Sequence, residues 1–295
     1  MKLLHPANWQ DYQLIDSGDF EKLERFGEYV LIRPEPQAIW KRQLSDAEWN
    51  SQAHAHFTRE QKDKFRFSDD IKGGWNKLKP MPESWQVTYE TGLLSIKLRL
   101  ALTGFGHVGI FPEQGENWNF IFSAISKWKQ SSRVLNLFAY TGAASVVATA
   151  AGAEVTHCDA SRPGLNWANQ NMQINNLTGT RWVHEDALKF VRREAKRGNK
   201  YNGIIMDPPP YGRGPDGEKW TLQEKLDELI GYSKELLTPE NNFFILSMYA
   251  AGLSALVGLN VVKTHFKVDA EYGEFYLKST GSSHLPMGTF VRFSR

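Results

Sequence analysis

Residues 134–142 read Val134-Leu135-Asn136-Leu137-Phe138-Ala139-Tyr140-Thr141-Gly142, an apolar run that ends in a turn of small residues. A second such run, Ile204-Ile205-Met206-Asp207-Pro208-Pro209-Pro210-Tyr211, ends in an acid, three prolines and an aromatic residue. Apolar runs bounded by turn residues are typical of buried parallel strands. In open α/β sheets the ligand meets the carboxyl ends of such strands, so the two runs predict one site at one edge of a sheet.

From residue 133 onward the sequence alternates between strand and helix patterns. We predict strands at 133–138, 154–159, 181–185, 202–207 and 242–247, with closing strands near 261–267 and 289–293. Alternation of this kind predicts βαβ units with right-handed crossovers, which bring the carboxyl strand ends to one edge. The fold class is therefore α/β, a doubly wound and mostly parallel seven-stranded sheet.

Residues 1–100 have a different character. Short alternating runs at 29–33 and 94–100 have the period of strands, and turn signals such as Gly73-Gly74 surround them. We expect a small, mostly β amino-terminal domain over residues 1–100 and a second domain, which carries the site, over residues 101–295.

Composition limits the class of protein. Of 295 residues 41% are apolar and 23% charged, as in ordinary globular proteins, and a net charge of +2 does not demand a polyanionic partner. The single cysteine excludes a disulfide framework and favours a reducing compartment. No run has the roughly 18 apolar residues of a membrane span and no secretory signal is visible, so we predict a cytoplasmic protein without membrane contact. The histidine spacings predict no metal site.

The first motif has features of a nucleotide site. Its turn lacks the three glycines of G-x-G-x-x-G that admit a pyrophosphate, which disfavours a nicotinamide oxidoreductase. Asp159 ends the next strand, where a carboxylate can accept hydrogen bonds from both ribose hydroxyls. Alternatively Asp159 or Ser161 caps the following helix. Asp186 ends the third strand and can either receive an adenine amino group or cap the helix after it.

The second motif has features of a substrate site. Consecutive prolines fix the backbone and remove N–H donors, which leaves outward carbonyls as rigid acceptors. Together with Asp207 they can hold an amino group or ring nitrogen, and Tyr211 can stack on a base, a contact worth about 1–3 kcal/mol. A plain proline-rich loop is the alternative. The glycine-rich tail, residues 212–220, is either a lid with Arg213 and Lys219 near phosphates or a flexible connector.

Two further features have an ordinary interpretation beside a functional one. A basic cluster on and after the helix near residue 190 predicts either a nucleic-acid footprint or a solvated helix face. Its members are Lys189, Arg192, Arg193, Lys196, Arg197 and Lys200. His157 lies inside a predicted buried strand, and we interpret it as a packed core residue.

These residues resemble the class I S-adenosylmethionine-dependent methyltransferases, which have a Rossmann-like fold. More narrowly, they are similar to the bacterial large-subunit ribosomal RNA methyltransferases with an L-N-L-F-x-Y-T-G motif followed by D-P-P-x-[FY]. The resemblance runs from about residue 104 to residue 295. It implies S-adenosylmethionine as cofactor and RNA as substrate. From the chemistry of the second motif we predict Asp207, Pro208, Pro209 and Tyr211 as the catalytic residues. The implied cofactor pocket is lined by Phe111, Phe138, Tyr140, Thr141, Gly142, Asp159, Ser161, Asp186 and Asp207.

The chain departs from that pattern in two ways. Relatives that methylate cytosine C5 place a nucleophilic cysteine in a Ser-Cys pair after the fifth strand, where this chain has Ser247-Met248-Tyr249. The only cysteine, Cys158, lies beside Asp159, so we predict direct displacement onto a nitrogen of an RNA base, with ribosomal RNA as the expected substrate. No RNA-binding PUA module is recognisable. A methyltransferase acting on a small molecule or protein, and a non-catalytic binding protein that retains the fold, are the alternatives.

Overall fold

The computed structural model describes residues 1–7, 9–59, 73–92, 94–128, 130–249 and 252–295. The chain forms two compact units. The larger unit consists of Met1–Leu4, Glu116–Phe275 and Gly288–Arg295, and the smaller unit of His5–Gly115 and Tyr276–Met287. No helix in the described part of the chain is long and apolar enough to cross a membrane.

The first part of the chain consists mainly of strands. In order these elements are β1 (Lys2–Leu4), β2 (Tyr12–Gly18), β3 (Glu21–Phe26), β4 (Tyr29–Pro34), α1 (Asp46–Gln52), β5 (Ala55–Arg59), β6 (Gly73–Lys77), β7 (Ser84–Thr91) and β8 (Leu94–Ala101), followed by a short 3₁₀ helix, Pro112–Gln114.

The second part alternates between helix and strand. Its elements are α2 (Gly115–Ser126), β9 (Arg133–Leu137), α3 (Ala143–Ala150), β10 (Glu154–Asp159), α4 (Arg162–Ile174), β11 (Arg181–His184), α5 (Ala187–Lys196), β12 (Gly203–Met206), β13 (Tyr211–Arg213), β14 (Lys219–Thr221), α6 (Leu222–Leu236), β15 (Phe243–Met248), α7 (Ala255–Phe266), β16 (Glu271–Lys278) and β17 (His284–Ser294).

The larger unit is built on one twisted sheet. Among the described residues this sheet has eight strands in the order β1-β16-β17-β15-β12-β9-β10-β11. Strands β9 to β12 and β15 pair in parallel, and β17 runs antiparallel to β15. The doubly wound α/β fold is confirmed, and β1, which pairs in parallel with β16, adds an edge strand to the seven predicted.

One element of the prediction is wrong. The strand expected near 261–267 is the end of helix α7, and the strand itself is β16. The buried residues of α7 include Ala255, Leu259, Val262 and Phe266, which recur at intervals of three and four and so form one helical face. The β-branched residues Val261 and Val262 favour a strand locally. The helical spacing of the buried residues around them outweighs that local preference.

The core of the larger unit lies on both faces of its central strands. β9, β12 and β15 are almost fully buried, and helices α5, α6 and α7 contribute apolar residues to the same cluster. The smaller unit has a five-stranded sheet in the order β2-β3-β4-β5-β6 and a separate β7–β8 hairpin. Its β-rich character is as predicted.

Candidate active site

The two motifs meet because of the strand order. The chain runs from β9 outward through β10 and β11 and then returns to β12 on the opposite side of β9, so the strand order reverses between β9 and β12. A crevice for ligands opens at this switch point. Leu137 lies opposite Met206 in the register, and therefore Phe138 and Asp207 follow neighbouring strand ends.

The turn after β9 has an unusual backbone. Phe138 and Tyr140 have φ angles of 54° and 48°, and Gly142 has a φ of 81°. Bulky residues rarely adopt this left-handed region, and such strain concentrates at functional sites. Gly142 is also needed for packing, because a Cβ atom there would lie 2.8 Å from Cβ of Ala168 on α4. The turn is closed by a hydrogen bond of its own, in which the Gly142 N–H donates to the Ala139 carbonyl at 2.9 Å.

Asp159 is fixed at the end of β10. Its Oδ2 accepts from the Tyr140 backbone N–H at 2.8 Å, and its Oδ1 accepts from the Ser161 N–H at 2.6 Å. Burial raises the pKa of this carboxyl, while the two backbone donors act in the opposite direction. A carboxylate has about four acceptor positions, so two are left for further donors. This matches the two hydroxyls of a ribose, and the site therefore fits a nucleoside cofactor.

Two of the three candidate capping residues, Ser161 and Asp186, do cap helices. The Ser161 hydroxyl oxygen accepts from the Gly164 N–H at 3.2 Å at the start of α4. The Oδ1 atom of Asp186 accepts from the Lys189 N–H at 2.9 Å at the start of α5. A Cβ atom on Gly214 would lie 3.0 Å from Cβ of Asp186, so the β13–β14 connection lies close to this cap. Contact of Asp186 or Ser161 with the cofactor stays a prediction.

The proline loop uses two of its carbonyls internally. The Trp220 indole N–H donates to the Pro209 carbonyl at 2.7 Å, and the Leu222 N–H donates to the Pro210 carbonyl at 3.0 Å. We expected outward-facing carbonyls, but these two instead hold the loop to β14 and α6. The strand end also carries two further acceptors, the Asp207 carboxylate and the Pro208 carbonyl.

The tail of the loop forms a two-stranded hairpin rather than an irregular connector. Strands β13 and β14 pair antiparallel, and the Lys189 ammonium group on α5 binds Asp216 at 2.9 Å and Glu218 at 3.2 Å. Trp220 is buried, and its ring lies 4.8 Å from the ring of Phe138. The hairpin therefore contacts both the turn after β9 and the proline loop. Tyr211, on the outer side, is 68% exposed.

Four of the six cations in the basic cluster on and after α5 form ion pairs with carboxylates of the described chain. Besides Lys189, Arg192 pairs with Glu228 at 2.6 Å, Arg197 pairs with Glu194 at 3.2 Å, and Arg193 pairs with Glu185. The Lys200 ammonium group donates to the Glu235 carbonyl at 2.6 Å. This pattern favours the solvated helix face over a nucleic-acid footprint.

The remaining predicted pocket residues lie in two places. Thr141 is buried, and its carbonyl accepts from the Asn171 side-chain amide at 2.8 Å. Phe111 belongs to the smaller unit, where it precedes the 3₁₀ helix and its ring lies 5.4 Å from His107. A contact between Phe111 and the cofactor stays a prediction.

Two groups of residues were missed at the level of sequence. Below the turn, the Asn136 amide donates to the Ser145 hydroxyl at 2.9 Å, and this hydroxyl lies 3.0 Å from Nδ1 of His157. A polar residue inside an apolar strand, Asn136, is the signal that predicts such a network. The second is Trp220, whose role depends on contacts that no local pattern reveals.

Comparison with known proteins agrees with this geometry. Residues 25–251 match the family described as S-adenosylmethionine-dependent methyltransferase. The chain belongs to this family. A crystal structure of a SAM-dependent methyltransferase from Agrobacterium tumefaciens is 34% identical, with a TM-score of 0.90 over 100% of this chain and 93% of that chain. The predicted enzyme class and the cofactor S-adenosylmethionine are confirmed by this membership.

Curated relatives have names that refer to ribosomal RNA. The ribosomal RNA large subunit methyltransferase K/L of Shewanella frigidimarina is 29% identical over 227 residues, which are 74% of this chain and 31% of that protein. The ribosomal RNA large subunit methyltransferase I of Aeromonas salmonicida is 36% identical over 110 residues, 36% of this chain and 27% of that protein. The chain thus spans less than a third of the length of these relatives.

Proposed function

We propose that this methyltransferase transfers the methyl group of S-adenosylmethionine to a nitrogen atom of an RNA base, in ribosomal RNA of the large subunit, and that it works in the cytoplasm. The observation that supports this most strongly is the end of β12. There a carboxylate, a proline carbonyl and an exposed aromatic ring follow one another within Asp207, Pro208 and Tyr211. The names of the curated relatives support the choice of RNA.

The acceptors at this strand end suit an amino group or a protonated ring nitrogen. Asp207 and the Pro208 carbonyl both accept hydrogen bonds, so they orient N–H donors and direct the nitrogen lone pair away from themselves. When bound, S-adenosylmethionine supplies a methyl group whose bond to a cationic sulfur breaks with the electron pair going to sulfur. The Asp207 carboxylate can accept the proton that the methylated nitrogen releases. Positioning of this kind supplies much of the acceleration of a displacement reaction.

The thiol chemistry also supports a nitrogen target. Cys158 is buried, and burial raises the pKa of its thiol well above the usual value. A thiol held neutral is a weak nucleophile. At the end of β15 the Ser247 hydroxyl accepts from the Asn117 amide at 3.0 Å, and the next residue is a buried methionine. The only cysteine is therefore unsuited to add to a pyrimidine ring.

The test is transfer of labelled methyl from S-adenosylmethionine into total RNA and, separately, total protein from a strain that lacks the gene. We expect label in RNA that nuclease releases. The Asp207→Ala variant should lose at least about 100-fold in transfer rate, since it removes a group that acts in the transition state. Its affinity for S-adenosylmethionine should stay within a few-fold of the wild type.

Asp269→Ala, which removes an exposed carboxylate after α7, is the matched control and should transfer normally. Equal loss of transfer and of cofactor affinity in Asp207→Ala would make Asp207 a cofactor residue. Label in protein, or in neither fraction while the cofactor still binds, would contradict RNA as the substrate and favour a protein or small-molecule acceptor.

A further inference from the structure

The hairpin that follows the proline loop separates its side chains into two faces. In its register Tyr211 lies opposite Thr221, Gly212 opposite Trp220, and Arg213 opposite Lys219. Successive strand residues point to opposite faces. Trp220, 3% exposed, therefore marks the inner face, whereas Tyr211, Arg213 and Lys219 share the outer face and are all exposed.

The outer face carries positive charge without local compensation. Arg213 and Lys219 lie directly opposite each other, and like charges in that position destabilise a two-stranded ribbon. No carboxylate in the described part of the chain forms an ion pair with either side chain. The Lys225 ammonium group donates to the Lys219 carbonyl and so brings a third cation to this strand.

The acids of the hairpin do not relieve this repulsion. Asp216 and Glu218 bind Lys189 of α5 instead. Glu218 lies at the position two residues before Trp220 and so belongs to the inner face; its carboxylate lies beside Gly214, where a Cβ atom would be 2.3 Å from Oε2. An uncompensated cationic pair that costs stability in the free protein points to an anionic ligand.

We propose that the outer face of the hairpin, formed by Tyr211, Arg213 and Lys219, binds single-stranded RNA next to the target base. This inference rests on the proposed function. Tyr211 stacks on a base, and the two cations contact phosphates of the flanking strand. Arg213 is two residues from Tyr211, about 7 Å along the strand, which places its guanidinium group near the backbone that adjoins a stacked base. Exposed aromatic rings beside cations are the usual platform for single strands.

Two footprints are possible, and they differ in how their cations are paired. Four of the six cations on and just after α5 are paired with Glu185, Glu194, Glu228 or the acids of the hairpin, whereas neither Arg213 nor Lys219 forms an ion pair within the described chain. Lys196 and Lys200 form no ion pair there either, so they are the α5 cations that the comparison must remove. Each phosphate contact on a single strand contributes about 0.7 to the slope of log affinity against log salt concentration. Loss of two contacts should therefore reduce the slope by about 1.4.

The experiment compares two double variants with the full-length wild type. Arg213→Gln/Lys219→Gln changes the hairpin, and Lys196→Gln/Lys200→Gln removes two charges from α5 and its end. The probe is protein-free large-subunit ribosomal RNA from a strain that lacks the gene, with binding measured at several potassium chloride concentrations. Both pairs are exposed. Thermal unfolding and S-adenosylmethionine affinity are measured for each protein to show that it is folded.

We expect the hairpin variant to lose about 1.4 of the salt slope and about 25-fold in RNA affinity at 0.1 M salt. The α5 variant should keep the wild-type slope.

Equal slopes for the hairpin variant and the wild type would overturn the proposal, and so would a reduced slope for the α5 variant alone. The salt slope does not depend on catalysis, so the two proposals can fail separately. If the wild-type protein labels RNA but the hairpin variant keeps the wild-type salt slope, only this proposal is refuted. A reduced hairpin slope without any RNA labelling would refute only the proposed function.

Discussion

At the scale of single residues, His157 shows how the turn after β9 is supported. It lies on β10 two residues before Asp159, its Nδ1 is 3.0 Å from the Ser145 hydroxyl, and its ring lies 5.0 Å from that of Trp182. Burial lowers the pKa of His157 to about 3, although the Tyr140 backbone acts in the opposite direction. The imidazole is therefore neutral at physiological pH, and the prediction of a packed core residue is confirmed by its complete burial.

This lowered pKa predicts a loss of stability in acid. The pKa of an unfolded histidine is about 6.5, so the unfolded state takes up a proton below that pH while the folded state does not. The stability is fully present above about pH 6.5 and falls by about 1.4 kcal/mol per pH unit as the pH approaches 3. The His157→Asn variant should lack this pH-dependent part of the free energy of unfolding, independently of any stability that it loses at pH 7.

Urea unfolding at pH 7, 6 and 5 checks the prediction. The difference in the free energy of unfolding between wild type and His157→Asn should shrink steadily as the pH falls. His284→Asn, at an exposed position, is the control and should parallel the wild type. Parallel curves for wild type and His157→Asn would show that the buried ring takes up a proton without unfolding.

At the scale of elements, the strands and the order of the motifs were predictable and the hairpin was not. Continuous apolar runs identify β9 and β12, and alternation with helices implies that they are parallel. The conformation of residues 212–220 depends instead on contacts distant in sequence. Trp220 binds the Pro209 carbonyl, and Lys189 binds Asp216. No pattern within a glycine-rich loop reveals such partners.

The Trp220 indole is expected to position the proline loop. Trp220→Phe keeps an aromatic ring against Phe138 but removes the N–H that donates to the Pro209 carbonyl at 2.7 Å. A buried carbonyl left without its donor costs about 1–3 kcal/mol. We expect kcat/KM for RNA to fall about tenfold, which corresponds to about 1.4 kcal/mol, while S-adenosylmethionine affinity changes less than twofold.

A matched control exists in the smaller unit. The buried Trp85 donates its indole N–H to the Phe26 carbonyl at 3.1 Å, so Trp85→Phe removes a bond of the same kind. This variant should lose stability but retain kcat/KM for RNA. If Trp220→Phe transfers methyl groups at the wild-type rate, the bond to Pro209 only stabilises the fold.

At the scale of the whole molecule, the chain divides into two units that are each discontinuous in sequence. Residues 276–287 belong to the smaller unit although they follow 160 residues of the larger one, Glu116–Phe275. Shifts in composition reveal a β-rich first part of the chain. They do not reveal that twelve residues near its end, Tyr276–Met287, belong to the same unit as that first part. The position of Asp159 at the end of a strand was predictable from the sequence, whereas the buried charges of the smaller unit lie in strands that no motif distinguishes.

Those buried charges form a cluster in the β2–β4 sheet. Glu24 accepts from the Tyr12 hydroxyl at 2.8 Å and from Arg33 at 2.7 Å, and Lys22 pairs with Glu35 at 3.1 Å. Burial by itself raises the pKa of Glu24, but the charges of Arg33 and Lys22 and the Tyr12 hydroxyl outweigh it and hold the pKa below the usual value. Two cations and two carboxylates therefore compensate one another within the sheet.

Removal of one partner from such a cluster leaves a buried charge without compensation. Glu24→Gln should therefore cost about 3–5 kcal/mol of the free energy of unfolding at pH 7. Since the folded-state pKa of Glu24 is lowered, its contribution is present above about pH 4.5 and is lost as the pH falls through the folded value. The difference in the free energy of unfolding between wild type and variant should narrow below about pH 4.5.

Urea unfolding at pH 7 and pH 4 measures this difference. The control is Glu83→Gln, which removes an exposed ion pair with Lys77 and should change stability little. A gap that is small at pH 7, or that widens in acid, would mean that the carboxylate of Glu24 does not stabilise the sheet.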